Sequence, residues 1–137
     1  MALQPEQAEH INVVNWFNYQ FPELADDFHH FANERRCSVQ QGRTLKRMGV
    51  KKGVADFFLA LPVNGYAGLW IELKVGKGKL SPEQIAFLGR KTERGYMALP
   101  VWGFEAATAT IKSYLKDART NCNSVAQKNL YNGKPIC

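Results

Sequence analysis

The sequence has few cysteines and no long apolar run. Its longest uninterrupted apolar segment, residues 57–63, is seven residues long, whereas a membrane-spanning helix needs about 20. The first ten residues have neither a basic nor an apolar stretch, so no signal peptide is expected. Three cysteines cannot all pair, and none lies at metal-ligand spacing with another cysteine or a histidine. We therefore expect a reduced, cytoplasmic protein with no membrane segment and no soft-metal site.

Two consecutive segments of the chain carry opposite charge: the first has no basic residue and the second has no acidic residue. Residues 1–34 contain six acidic residues and no Lys or Arg, and residues 35–52 contain seven basic residues and no acidic one. A basic cluster is either an ordinary solvated surface or the binding surface for a polyanion. The density of this cluster, in a chain of net charge +6, favours nucleic acid.

The apolar periodicity predicts one α/β domain over residues 1–119, followed by a polar tail over 120–137. We expect helices over 6–19, 82–94 and 104–118, a short basic helix or turn over 43–48, strands over 54–61, 68–75 and 96–102, and a short strand within 27–33. Asn64-Gly65 predicts a tight turn between two of the strands. This order indicates a mixed sheet flanked by helices.

Two helices carry local signals of different strength. Ser81 is a good N-cap, Pro82 suits the first helical position, and Gln84 completes a capping box. The first helix is expected to bury one stripe, made of Ile11, Val14 and Asn15 or Tyr19.

The chemistry-bearing residues lie on the two strands joined by the Asn-Gly turn. Glu72 and Lys74 share one face of their strand because side chains alternate, and Asp56 lies on the neighbouring strand. Carboxylates in apolar strands need a partner. One alternative is a buried ion pair with Lys74, which adds little net stability. The other is a divalent cation shared by the two carboxylates, since hard oxygen ligands suit Mg²⁺.

The segments around these residues resemble the VRR-NUC family of the PD-(D/E)XK nuclease superfamily. The family pattern is Gly-Val-x-x-Gly-Val-x-Asp, then Ile-Glu-x-Lys, then Ser-Pro-x-Gln, and it is matched in order by residues 49–56, 71–74 and 81–84. Ala55 replaces the Pro of the superfamily name. The resemblance covers about residues 31–115 and implies a restriction-endonuclease-like core.

The resemblance also implies Mg²⁺- or Mn²⁺-dependent phosphodiester hydrolysis. Asp56 and Glu72 would be metal ligands, with the backbone carbonyl of Leu73 as a third, and Lys74 would assist catalysis. Gln84 would face the site, although the capping box alone could explain it. Members of the family carry a glutamate on the first helix. Here Glu6 fits the spacing better than Glu9, and His10 stands where Gln is common.

Several residues are predicted to contact nucleic acid. Asn33 and Arg43 would line a substrate groove by the same resemblance, although a loop Asn and a surface Arg are ordinarily structural or solvated. Lys77 and Lys79 extend the positive surface from the edge of the site and, with Lys51 and Lys52, would hold backbone phosphates without selecting sequence.

The function expected from these features is a structure-selective DNA endonuclease acting on branched DNA, for example a Holliday junction. The alternatives are a catalytically inactive nucleic-acid-binding module of the same fold and a flap- or nick-directed nuclease. Symmetric cleavage of two strands would require a homodimer. Four large apolar residues are either candidates for its interface or buried inside one subunit: Trp16, Phe17, Phe21 and Trp102.

Overall fold

The helices and strands follow the predicted order, except for an additional 3₁₀ helix after the first helix and two short strands within the segment predicted as a tail. The computed structural model describes residues 2–32, 37–125, 130–131 and 134–135. Its helices are α1 (Pro5–Gln20), α2 (Val39–Arg47), α3 (Pro82–Glu93) and α4 (Phe104–Val125), with a 3₁₀ helix over Pro22–Asp27. Its strands are β1 (Phe28–His30), β2 (Phe57–Leu59), β3 (Leu69–Lys74), β4 (Met97–Trp102), β5 (Leu130–Tyr131) and β6 (Lys134–Pro135). No helix in these ranges combines the length and apolar character needed to cross a membrane.

Four strands form a mixed sheet in the order β1-β2-β3-β4. β2 is antiparallel to both β1 and β3, whereas β3 and β4 are parallel and joined through α3. β5 and β6 form a separate antiparallel pair. With α1 and α4 on one face of the four-stranded sheet and α3 on the other, the expected mixed α/β fold is confirmed.

Two predicted local signals are present. Asn64 and Gly65 both have positive φ, 49° and 86°, as the tight turn between β2 and β3 requires. At the start of α3, the Ser81 hydroxyl accepts a hydrogen bond from the Gln84 backbone N–H at 3.2 Å. The Gln84 side-chain oxygen accepts one from the Ser81 backbone N–H at 2.8 Å. The capping box therefore fixes where α3 begins.

The larger core lies between the sheet and the pair α1 and α4. From the sheet it takes alternate residues of β3, Leu69, Ile71 and Leu73, and from α4 it takes Ile111 and its neighbours. The predicted apolar side of α4, Ile111, Tyr114 and Leu115, is buried as expected. The smaller core on the other face contains Trp70, Phe87 and Leu88.

The buried face of α1 differs from the predicted stripe. Val13 and Phe17 are fully buried, whereas Ile11 and Tyr19 are exposed. Apolar residues occur on several sides of this helix, so its sequence does not identify one face. The choice is made by tertiary packing, because the ring of Phe17 stacks on Phe28 of β1 with centroids 4.3 Å apart.

The apolar residues proposed for a dimer interface have partners within the chain. Phe17 and Phe21 are buried, and Trp16 is partly buried against the same core. Trp102 is exposed, yet its indole N–H donates to the Gly78 carbonyl at 2.8 Å. The expectation of surplus exposed apolar surface at these four positions is therefore wrong for Phe17 and Phe21. For these two residues burial within one subunit is the correct alternative, whereas Trp102 remains exposed.

Two helices extend beyond their predicted ends. α2 begins at Val39, earlier than the predicted basic segment, because Ser38 and Gln41 form a second capping box. All its side chains are exposed or half-buried. α4 continues to Val125 instead of ending near 118.

Candidate active site

The register of the sheet brings Asp56 and Glu72 to neighbouring positions. Phe57 of β2 is paired with Ile71 of β3, so Asp56, one residue before β2, lies level with Glu72. The Leu73 backbone N–H donates to Asp56 Oδ2 at 2.8 Å. This hydrogen bond ties the Asp56 carboxylate to β3 beside Glu72. The two carboxylates predicted to act together are therefore brought together by the hairpin.

Glu72 is a buried carboxylate with two partners on one oxygen. The side chain is almost entirely buried, and its Oε1 lies 3.2 Å from Lys74 Nζ. The Gln84 side-chain amide donates to the same oxygen at 2.7 Å. The other oxygen, Oε2, is buried and has no hydrogen-bond partner. One carboxylate oxygen is thus neutralised and the second is left to bind something else.

The ion pair anticipated as the structural alternative for Lys74 is present in the structure. This ion pair does not exclude a catalytic role for Lys74, because Lys74 Nζ lies at the same carboxylate that would hold a cation. A lysine at this position can contact a phosphate oxygen or an attacking water as well as Glu72.

Gln84 performs both of the roles considered for it. Its Oε1 closes the capping box on the Ser81 backbone, and its Nε2 donates to Glu72. The two roles do not conflict because they use opposite ends of one amide. The start of α3 is thereby joined to the candidate site by a single side chain.

Burial and like charge dominate the electrostatics of the carboxylate pair. Burial and, after it, the negative charge of Asp56 raise the pKa of Glu72 to about 7, although Lys74 and the Asp56 backbone partly oppose both. Any added positive charge would stabilise the ionised form of a carboxylate in this position. The site therefore has less positive charge than its two carboxylates require.

The residues present fit the implied divalent cation. The unpartnered Glu72 oxygen and the adjacent Asp56 carboxylate are hard oxygen donors of the kind that Mg²⁺ and Mn²⁺ accept. Within the described ranges, no three His, Cys, Asp or Glu side chains form a group able to hold a metal ion. A cation here would accordingly draw on the two carboxylates, a backbone carbonyl such as that of Leu73, and water.

His10 is a residue that the sequence analysis left outside the site. It projects from α1 so that its Nε2 lies 3.6 Å from Asp56 Oδ2, and its ring packs edge-on against Phe57. Burial lowers the pKa of His10, but the negative charges of Asp56, Glu6 and Glu72 raise it above its ordinary value overall. The available signal was its spacing: four residues after Glu6, it occupies the same face of α1.

The glutamates of α1 lie in different surroundings. Glu6 contributes to the negative potential at His10, which lies against Asp56, so it is on the side of α1 that faces the carboxylates. Glu9 has one buried oxygen without a hydrogen-bond partner. The assignment of Glu6 as the family-type glutamate stays a prediction.

The basic loop before β2 lies against the beginning of α3. Gly53 has a φ of +82°, and a Cβ built on it would lie 2.5 Å from the Glu83 backbone carbon. Only glycine allows this approach. Lys51 and Lys52 are exposed on the same loop, so the contact places them near the end of α3 that carries Gln84.

A second basic loop follows β3. Lys77 and Lys79 are exposed, and the Trp102 indole holds the loop between them through the Gly78 carbonyl. Because the loop begins directly after Lys74, it borders the candidate site. Arg43 is exposed on α2. Asn33, the remaining predicted nucleic-acid contact, lies outside the described residues.

Comparison with known proteins agrees with the fold and the motifs. A solved structure described as a VRR_NUC domain protein superposes with a TM-score of 0.73 and 27% sequence identity, over 85% of this chain and 93% of that one. No family model matches the sequence, and no curated protein matches it.

The fold and the candidate site together define a mixed α/β protein of the restriction-endonuclease-like class. The more particular resemblance to the VRR-NUC family, inferred from the three motifs, is confirmed by the 27% identical structure. This likeness supports a nuclease of that family.

Proposed function

We propose that this protein is a divalent-cation-dependent, structure-selective DNA endonuclease that hydrolyses phosphodiester bonds. The observation that carries the proposal is the buried carboxylate of Glu72, which lies next to Asp56. Its Oε1 forms an ion pair with Lys74 and accepts a hydrogen bond from Gln84, whereas its Oε2 has no hydrogen-bond partner. Buried carboxylate oxygens are in the large majority hydrogen-bonded, so an unsatisfied one next to a second carboxylate supports a bound ligand over a purely structural ion pair.

Asp56 and Glu72 would hold the cation, with Mg²⁺ or Mn²⁺ as the ions that suit their oxygens. When bound, the ion would supply Lewis acidity and stabilise negative charge on the phosphate. The chain's own groups have separate tasks. Leu73 N–H fixes the Asp56 carboxylate, Gln84 orients Glu72, and Lys74 presents a positive charge where a phosphate oxygen or the attacking water would lie.

DNA is the proposed substrate because two exposed basic loops border the site. Lys51 and Lys52 lie on one loop and Lys77 and Lys79 on the other. Contacts of lysine with phosphates position a duplex without selecting its sequence. A nuclease built this way selects the shape of the DNA, which favours branched substrates over a specific sequence.

The decisive experiment is cleavage of labelled four-way junction, flap, nicked and linear DNAs with Mg²⁺, with Mn²⁺ and with EDTA. We expect cleavage of branched DNA only with a divalent cation, and none by Asp56→Ala. Equal cleavage in EDTA would contradict the cation site. Tight DNA binding by wild type without cleavage under any condition would identify the inactive binding module instead.

A junction-resolving activity further predicts a homodimer, since one Asp56-Glu72-Lys74 site cuts one strand per encounter. Light scattering at micromolar concentration should then give about twice the chain mass of 15.5 kDa. A monomer that cleaves flaps or nicks but not junctions would favour the second candidate, a flap- or nick-directed nuclease.

A further inference from the structure

His10 is unusual among the histidines of the chain. Its Nε2 is buried without a hydrogen-bond partner, and it lies 3.6 Å from Asp56 Oδ2. This separation exceeds the 2.7–3.2 Å of an ordinary N–H···O hydrogen bond. The two atoms form an ion pair when the imidazole is protonated, but they are too far apart for an ordinary hydrogen bond.

The distance between His10 Nε2 and Asp56 Oδ2 is close to that between two ligands of one ion. Donors about 2.1 Å from a cation, at right-angled or tetrahedral positions, lie about 3 to 3.4 Å apart. The His10–Asp56 separation exceeds this range by a few tenths of an ångström. The rings of Phe57 and His30, with centroids 5.4 and 5.0 Å from that of His10, surround the imidazole.

We propose that His10 is a nitrogen ligand of the cation held by Asp56. This inference rests on the proposed function and adds to it a donor from α1. The described residues form no ready-made group of three such ligands, so the imidazole would have to move towards Asp56, from which it is 3.6 Å away, when the cation binds. A proton and a metal ion compete for the same imidazole lone pair, and the surrounding carboxylates attract either one. Since imidazole suits later transition metals better than Mg²⁺ or Ca²⁺, His10 shifts the preference of the site from Mg²⁺ towards Mn²⁺ and its heavier neighbours.

His30 has a different role, although it is close by. The Asp56 backbone carbonyl can only accept a hydrogen bond, so His30 Nδ1, 2.9 Å away, must carry the proton. His30 therefore supports the backbone of Asp56, while His10 faces its carboxylate. His29 is exposed on the same strand and serves as the matched control.

The test uses Mn²⁺ alone as the probe, bound to the full chain without DNA or a histidine tag, and records pulsed electron paramagnetic resonance. Wild type should show the nitrogen modulation of a directly bound imidazole, and histidine-selective ¹⁵N labelling should replace the ¹⁴N pattern. The modulation should survive in His29→Gln and His30→Gln. Because the sequence contains three histidines, this assigns it to His10 without requiring a His10 variant to fold.

His10→Gln provides the second measurement. It should lose the modulation and bind Mn²⁺ about tenfold more weakly, with a smaller loss for Mg²⁺. Bound Mn²⁺ without nitrogen modulation in wild type, or unchanged modulation in His10→Gln, would overturn the role of His10. If wild type nevertheless cleaves DNA with Mn²⁺, only this inference fails. If wild type neither binds Mn²⁺ nor cleaves DNA, the proposed function fails with it.

Discussion

The two sides of β3 are equally buried but chemically opposite. Ile71 is 1% exposed and packs into the apolar core beneath α1 and α4, whereas Glu72, its neighbour, is 2% exposed and faces Lys74 and Gln84. Burial of the first stabilises the fold. Burial of the second is unfavourable for its charged form and leaves one oxygen without a partner. One strand thus separates residues that hold the fold from the residues proposed to act in catalysis.

Changes on the polar side should affect cleavage most. Asp56→Ala, Glu72→Ala and Lys74→Ala should each reduce DNA cleavage at least about 1,000-fold, because they act on charge at the scissile phosphate. DNA affinity should change little, since it comes mainly from Lys and Arg on phosphates. Gel-based cleavage and binding assays measure the two effects separately. The exposed Glu93→Ala is the control, and wild-type cleavage by Asp56→Ala would exclude the assigned site.

Changes on the apolar side should affect stability instead. Ile71→Ala should lower the free energy of unfolding by about 2–5 kcal/mol, because it leaves a cavity in the core. Ile85→Ala is the matched control, since Ile85 is 57% exposed, and should change stability by about 0.5 kcal/mol or less. Urea unfolding measures both. Similar losses of unfolding free energy in the two variants would show that Ile71 of β3 is not buried in the larger core.

The pH dependence of stability should distinguish Glu72 from its apolar neighbours. Its pKa rises from an ordinary 4.5 to about 7 in the folded state, so the folded protein retains this proton to higher pH than the unfolded chain. The resulting stabilisation is complete below pH 4.5 and is lost as pH rises through about 7.

In EDTA, wild type should therefore lose up to about 3 kcal/mol relative to Glu72→Gln between pH 4.5 and 8. Thermal or urea unfolding across this range measures the difference. Parallel pH profiles for the two proteins would mean that Glu72 is ionised normally.

The basic loops should affect the affinity for DNA and its dependence on salt, without affecting sequence preference. Reversing charge at Lys51, Lys52, Lys77 and Lys79 should weaken binding to every DNA sequence alike. Each lost phosphate contact should reduce the slope of log affinity against log salt by about 0.9. Arg90→Glu with Arg94→Glu, at the far end of α3, is the control. Weakening for one sequence alone would mean that the lysines contact bases.

Much of this architecture follows from local sequence signals. The capping box at Ser81, the Asn64-Gly65 turn and the alternation along β3 are determined by neighbouring residues, so they were predictable. The side of α1 that is buried was not, because it depends on where Phe28 of β1 stacks.

The same distinction applies to the site. Asp56, Glu72, Lys74 and Gln84 were found from motifs, and the structure brings them together. The approach of His10 to Asp56 depends on how α1 packs across the sheet, a contact between residues 46 positions apart. Sequence spacing placed His10 on the side of Glu6, but only the packing places that side against Asp56.

The contact between Gly53 and the Glu83 backbone has a mechanical consequence. The loop with Lys51 and Lys52 touches α3 with no side chain between them, and Gln84 is the next residue along that helix. We expect a displacement of this loop to reach the start of α3, where Gln84 orients Glu72. If DNA binds the two lysines as proposed, its binding would act on the position of Glu72 through this contact. We expect a larger residue at position 53, although it would carry no reactive group, to push the loop away from α3 and, if Glu72 acts in cleavage as proposed, to change the rate of cleavage.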